Sequence, residues 1–183
     1  MRYLNKIIFI NSAHVPYAEI QLDGNVHFIG TQGVGKSTLL RSILFFYNGD
    51  KTKLGIRTQD KQKNYDEFYL PYPNSYIIYE VCRENGSFCV MSFISKGRTA
   101  FRIIDCAFNR DFFIDSDGMA RSEWGRISEV IGHKIYKSNI IHNYEEFRDI
   151  IYGNKQNITN KELHRFSILE SSKYQNVPRT IQN

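Results

Sequence analysis

A glycine-rich segment near the N-terminus contains the residue types that bind phosphate. Within FIGTQGVGKSTLL, Gly30, Gly35, Lys36 and Ser37 occupy the four defining places of the spacing G-x-x-x-x-G-K-S. Glycines let the backbone turn sharply and aim its N–H groups at phosphate oxygens. In such a motif the lysine reaches the β- and γ-phosphates, and the serine hydroxyl binds Mg²⁺. The segment therefore predicts a binding site for a nucleoside triphosphate.

This motif is specific only where a strand precedes it and a helix follows it. The apolar run NVHFIG predicts the strand, and KSTLLRSILFFYNG predicts a helix that ends at Gly49. A simple turn before a helix would need neither the Lys-Ser pair nor three glycines. The predicted nucleotide-binding residues are Gly30, Thr31, Gln32, Gly33, Val34, Gly35, Lys36, Ser37 and Thr38.

Hydrolysis of a triphosphate needs a second acidic residue that holds Mg²⁺ and a group that orients the attacking water. An apolar strand that ends in an acid is the usual source, and Asp115, Asp105 and Glu80 each end such a segment. Asp115 follows the run FFI and begins the pattern D-x-x-G, so it is the candidate second ligand of Mg²⁺. The same residues, DSDG, are also typical of a turn at the end of a strand.

The order of predicted elements indicates an α/β fold with a largely antiparallel sheet around the phosphate-loop helix. Residues 1–50 are expected to form strands, the loop and its helix, and 51–75 a surface loop. Alternating segments separated by RENG and SKGR predict antiparallel strands over 76–118. Short helices, the first capped by Ser122, and a polar tail are expected over 119–183. A chain of 183 residues fits a single lobe.

Composition limits the classes of protein to which the chain can belong. Its hydrophobic content of 42% fits a globular chain, and no run is apolar enough to span a membrane. Three cysteines without a C-x-x-C spacing argue against a zinc site and favour a reducing cytoplasm. The net charge of +5 permits contact with DNA. Candidates for a DNA-facing surface are Arg98, Arg102, Arg110, Arg121 and Arg126.

The opening segment YLNKIIFINSAHVPYAEIQLDGNVHFIGTQGVGKSTLLRSILFFY resembles the N-terminal part of an SMC-like or RecF/ABC-type ATPase head. The later segments YEEFRDIIYG and HRFSILESSKYQNVPRTIQN are similar to bacterial SMC-like proteins of condensin-like and plasmid-defence complexes. The resemblance implies a P-loop NTPase fold, ATP and Mg²⁺ as ligands, and an active state in which two heads enclose two ATP molecules. It also implies DNA and a kleisin-like subunit as partners of the whole machine.

Three further expectations follow from this resemblance. The family has Asn where this chain has Gln32. In such heads an arginine from roughly the region of position 57 can touch the nucleotide, so Arg57 is a candidate contact. The family's signature motif, second acidic motif and catalytic Glu come from a C-terminal half that follows a coiled coil. None of these is found in the 183 residues, so an N-terminal fragment that needs a second half for hydrolysis is expected.

Two alternatives belong to other functional classes. The first is a self-contained P-loop phosphotransferase or NTPase that uses Asp115 as its Mg²⁺ ligand. The second is a DNA-binding module in which the nucleotide is only a structural ligand. Turnover by the isolated chain would favour the first alternative, and salt-dependent DNA binding without nucleotide would favour the second.

Overall fold

A computed structural model of the chain describes residues 1–22, 35–48, 51–57 and 62–169. The strands are β1 (Tyr3–Ser12), β2 (Val15–Gln21), β3 (Ile56–Arg57), β4 (Gln62–Lys63), β5 (Tyr76–Arg83), β6 (Gly86–Ser95) and β7 (Arg98–Ile104). The α-helices are α1 (Lys36–Asn48), α2 (Tyr65–Tyr69), α3 (Arg110–Phe113), α4 (Trp124–Ile131) and α5 (Tyr144–Tyr152). Short 3-10 helices cover Lys51–Leu54, Lys155–Asn157 and Lys161–Phe166. None of the helices described is long and apolar enough to cross a bilayer.

Five strands form one sheet in the spatial order β2-β1-β5-β6-β7, and every neighbouring pair is antiparallel. Near its centre, Ile8 pairs with Ile78, and Ile78 pairs with Met91. The predicted meander of β5, β6 and β7 is confirmed. The predicted strand NVHFIG lies outside the described residues. The fold is therefore α/β with an antiparallel sheet.

The sheet is buried on both faces. Successive side chains of a strand point to opposite sides, so each strand contributes residues to both. Ile7 and Tyr79 point to the face covered by α1, α2 and α5, which we call the α1 face. Ile8 and Ile78 point to the face covered by α3 and α4, which we call the α4 face. Burial on both sides explains why β5 begins with a continuous run of apolar and aromatic residues over 76–79 instead of an alternating pattern.

The outer edge of β7 is paired with the chain that follows α4. Phe101 and Ile141 exchange both backbone hydrogen bonds, at 2.8 and 2.9 Å. The Ser138 N–H donates to the Ile103 carbonyl, and the Ile103 N–H donates to the Ser138 hydroxyl. These backbone groups of the edge strand are therefore satisfied within the chain.

The expectation of a surface loop over 51–75 is wrong, because this segment contributes to the core. Asn64 and Glu67 form a capping box that starts α2, and Tyr65 and Tyr69 are buried beneath α1. Tyr65 stacks on Phe45 of α1, with ring centroids 4.3 Å apart. A helix of five residues is too short to persist alone, so these tertiary contacts stabilise it.

Three later expectations also differ from the structure. The antiparallel strands predicted over 76–118 end at Ile104. Helix α3 forms where a further strand is predicted, because the Asn109 side chain caps its N-terminus. The predicted cap Ser122 lies one residue before the observed N-cap of α4, Glu123, which makes no side-chain cap bond. The polar tail contains a buried aromatic ring, Phe166, which packs on the α1 face.

The turn between β6 and β7 allows a test of backbone strain. Ser95 pairs with Arg98, so Lys96 and Gly97 form a two-residue turn with positive φ values of 50° and 76°. Asn tolerates positive φ better than Lys, and Asn-Gly is a preferred pair in such turns. We expect Lys96→Asn to raise the free energy of unfolding by about 0.5–1 kcal/mol in urea denaturation.

The matched control for this turn substitution is Lys134→Asn. Lys134 is exposed like Lys96, but its φ is not positive. This control is expected to change the free energy of unfolding by less than about 0.5 kcal/mol. A loss of stability in Lys96→Asn relative to the control would contradict the assignment of strain to this turn.

Candidate functional site

The last residues of the glycine-rich motif form the N-terminus of α1. Gly35 has a φ of +80°, a conformation that glycine adopts readily, and its carbonyl accepts the Leu39 N–H at 3.0 Å. Lys36 is the first residue of α1, and the predicted helix is confirmed. The motif residues outside the described part of the chain are Gly30, Thr31, Gln32, Gly33 and Val34.

The start of α1 suits a negatively charged ligand. Its first turn contains no acidic residue. The N-terminal end of a helix carries partial positive charge, since its first N–H groups have no partner within the helix. Ser37 is exposed, while Lys36 and Thr38 are half-buried. A basic and a hydroxyl side chain therefore lie beside a helix N-terminus, an arrangement that can bind phosphate.

The buried side of α1 is fixed by hydrogen bonds as well as by apolar packing. Four tyrosine hydroxyls donate hydrogen bonds to backbone carbonyls of α1. The donor and acceptor pairs are Tyr69 and Thr38 (2.5 Å), Tyr79 and Ser42 (3.1 Å), Tyr144 and Phe46 (3.2 Å), and Tyr152 and Tyr47 (2.9 Å). Burial raises the pKa values of Tyr69, Tyr79 and Tyr144, so these hydroxyls stay protonated at neutral pH. Three elements, α2, β5 and α5, therefore set the position of α1.

Asp115 belongs to the layer on the α4 face. It follows Ile114, which packs there with α3 and α4. Its Oδ1 accepts the N–H groups of Asp117 and Met119 at 3.0 and 2.9 Å, so its own side chain closes the DSDG turn. Asp115 also lines an open cleft of about 380 Å³ with Ala120, Arg121, Ser122, Glu123 and Arg126. The α1 helix with Ser37 lies on the opposite face of the sheet.

The other two acidic candidates have partners inside the fold. Glu80 is buried, and its two carboxylate oxygens accept the Asn5 side-chain amide and the Phe108 N–H, both at 2.7 Å. Asp105 forms ion pairs with two arginines, Arg83 and Arg165. Both carboxylates hold chain segments together, which gives them a structural role.

Two basic residues that follow α1, Arg57 and Lys51, are paired with other described parts of the chain. Arg57 lies in β3 and pairs with Gln62 of β4. Lys51 forms an ion pair with Asp66 at 2.9 Å, and the Thr99 hydroxyl donates to the same carboxylate. The Asp66 carboxylate therefore links α2 to Lys51 and to the start of β7.

The arginines considered for a DNA-facing surface differ in their surroundings. The Arg102 guanidinium lies 4.2 Å from the Trp124 ring and donates to the Ser138 carbonyl, and burial lowers its pKa. Arg126 is exposed and lies 3.8 Å from the Glu129 carboxylate. Arg102 thus contributes to the packing of α4, whereas Arg126 faces solvent.

The part of the chain that the structure describes contains no group of three or more His, Cys, Asp or Glu side chains that could hold a metal ion. The cysteines Cys82, Cys89 and Cys106 are free thiols. Burial raises the pKa of Cys106 to about 11 and that of Cys89 well above its usual range, so both stay protonated at neutral pH.

Tyr69, which bonds the first turn of α1, is not among the residues predicted from the sequence. The missed signal is the pattern N-x-x-E at Asn64 and Glu67, which is typical of a helix N-terminus. Aromatic residues at 65, 68 and 69 follow it at helical spacing. Together they predict a short helix with one apolar side.

Comparison with known proteins gives one result. No curated protein and no solved structure matches the chain. Residues 8–173 match a family described as protein of unknown function (DUF3584). This match covers the glycine-rich motif, the five α-helices of the described residues and the sheet except for residues 3–7 of β1. The chain therefore belongs to the DUF3584 family.

Proposed function

We propose that the chain is the ATP-binding lobe of an SMC-like ATPase. The observation that carries the proposal is a G-x-x-x-x-G-K-S motif whose Lys-Ser pair starts a helix directly after Gly35, which has positive φ. The membership in DUF3584 is consistent with an SMC-like N-terminal region. The order of elements, with β1 and β2 before the helix and the antiparallel strands β5, β6 and β7 after it, agrees with an SMC-like head that begins with strands, the phosphate loop and its helix and continues with antiparallel strands.

The described residues fit a triphosphate and its Mg²⁺ ion. Lys36 would contact the β- and γ-phosphates, and the Ser37 hydroxyl would bind Mg²⁺. The first turn contains no acid that would repel phosphate, and Ser37 is exposed. Residues 30–34 would add backbone N–H groups, and Thr38 would line the site from the next helical position. Arg57 remains a candidate contact to the nucleotide.

Hydrolysis by this lobe would require groups other than the three acidic candidates Asp115, Glu80 and Asp105. Asp115 lies in the layer on the α4 face, and its Oδ1 already accepts two backbone N–H groups. Glu80 and Asp105 are engaged by partners inside the fold. We therefore propose that a C-terminal half and a second head supply the catalytic acid. DNA, a kleisin-like subunit and a cytoplasmic location are proposed for the whole machine.

Titration of the chain with ATP in a calorimeter, with and without Mg²⁺, tests this function. Saturable, Mg²⁺-dependent binding is expected, because Ser37 would bind the phosphates through the ion. Steady-state phosphate release should lie far below about 1 per second, a rate typical of enzymes.

Two outcomes would contradict the proposal. Absence of MgATP binding would show that the chain has no nucleotide-binding site. Turnover near the enzymatic rate would instead favour a self-contained NTPase that uses Asp115. If turnover is seen, the Asp115→Asn variant tests its origin. This variant should abolish turnover if Asp115 holds the Mg²⁺ ion.

A further inference from the structure

The Tyr69 hydroxyl bonds the first turn of the proposed phosphate-binding helix. Its oxygen lies 2.5 Å from the carbonyl oxygen of Thr38, the residue that follows Lys36 and Ser37. The Tyr69 side chain is completely buried and stacks on Tyr65, with ring centroids 4.3 Å apart. The donor is therefore held in a fixed place, close in sequence to the residues that would touch phosphate.

The helix that carries Tyr69 is itself fixed by independent contacts. At its N-terminus Asn64 forms the capping box, and Asp66 pairs with Lys51 at 2.9 Å. At its C-terminus the Phe68 carbonyl accepts the Ala13 N–H from the turn between β1 and β2. Helix α2 is therefore attached at both ends, and Tyr69 acts on α1 from a rigid base.

The bond to Thr38 differs from the tyrosine bonds in the last turn of α1. The carbonyls of Phe46 and Tyr47 lie in the last turn, where a helix leaves its carbonyls without intrahelical partners, and Tyr144 and Tyr152 satisfy them. The Thr38 carbonyl lies in the first turn, where the helix supplies its own partner four residues later. Helix termination thus does not account for the Tyr69 bond.

We propose that Tyr69 is a positioning residue that holds the first turn of α1 in the conformation that binds the phosphates. This inference rests on the proposed function. A ligand binds more weakly when only part of the population has the competent conformation. Without the Tyr69 hydroxyl, the first turn would open more often, and the apparent affinity for MgATP would fall.

The test compares Tyr69→Phe with the matched controls Tyr144→Phe and Tyr152→Phe. Each variant removes one hydroxyl that donates to an α1 carbonyl and keeps the ring. We expect Tyr69→Phe to weaken MgATP binding about fivefold, the effect of one lost hydrogen bond. The two controls should bind MgATP within about twofold of the unsubstituted chain, because they act at the other end of α1.

Amide hydrogen exchange supplies a readout that a general loss of stability would not produce. In Tyr69→Phe, exchange should accelerate at the Leu39 N–H, which closes the first turn on Gly35, relative to the amides of Phe46 and Tyr47. In the controls, exchange at Leu39 should not accelerate relative to those two amides.

The outcomes distinguish this inference from the proposed function. If the unsubstituted chain binds no MgATP, the proposed function fails, and the inference about positioning fails with it. If the unsubstituted chain binds and Tyr69→Phe matches the controls in both affinity and exchange, only the positioning role is overturned. Equal weakening in all three variants would show a general effect of stability and would also overturn it.

Discussion

Replacement of Lys36 by alanine is expected to weaken MgATP binding at least about 100-fold, because hydrogen bonds between the ammonium group and charged phosphate oxygens would be lost. The fold should persist, since Lys36 is only half-buried and alanine is the best helix former. Calorimetric titration measures the affinity, and thermal unfolding followed by circular dichroism checks the fold.

Two controls define the origin of the Lys36 effect. Lys134→Ala removes the same charge from an exposed position shortly after α4 and should leave the affinity unchanged. Lys36→Arg keeps the charge but changes the geometry, so it should lose less affinity than Lys36→Ala. An affinity in Lys36→Ala equal to that of the unsubstituted chain would contradict the assignment of the phosphate site.

Removal of the Phe166 ring is expected to lower the free energy of unfolding by about 3–5 kcal/mol, the range for a buried Phe→Ala change. Phe166 is completely buried, and its ring packs against Phe88 and Tyr136 at centroid distances of 5.1 and 5.8 Å. The guanidinium groups of Arg83 and Arg165 also lie over this ring, at 5.5 and 4.9 Å. Urea denaturation of Phe166→Ala measures the loss.

The matched control for Phe166 is Tyr72→Ala. Tyr72 is 61% exposed, so its removal should change the free energy of unfolding by less than about 0.5 kcal/mol. A loss in Phe166→Ala no larger than the control would show that the segment around Lys161–Phe166 is not part of the cooperative core.

Elements with a strong local pattern could be predicted from the sequence. The strands β5, β6 and β7 are apolar runs separated by short turns, and α1 repeats its apolar residues at helical spacing. In these elements the local preference and the tertiary environment agree. The G-x-x-x-x-G-K-S motif could be recognised from its residue types and spacing, and the helix predicted to follow it is confirmed.

Elements that depend on tertiary contacts could not be predicted in this way. Helix α2 has only five residues, and its aromatic rings are stabilised by Phe45 of α1 and Phe9 of β1, which are distant in sequence. Phe166 stands in a polar stretch, and its environment comes from β6 and from the loop after α4. The sequence alone also does not reveal that Asp115 and Ser37 lie in layers on opposite faces of the sheet.

The paired edge of β7 limits how other chains can assemble on this lobe. A strand from another molecule extends a sheet only where backbone N–H and carbonyl groups at the edge are open to it. At Phe101 and Ile103 those groups are already bonded to Ile141 and Ser138. Strand addition at this edge would first have to displace the segment after α4. A partner that approaches this flank must therefore recognise its side chains, and edge-to-edge aggregation is blocked there.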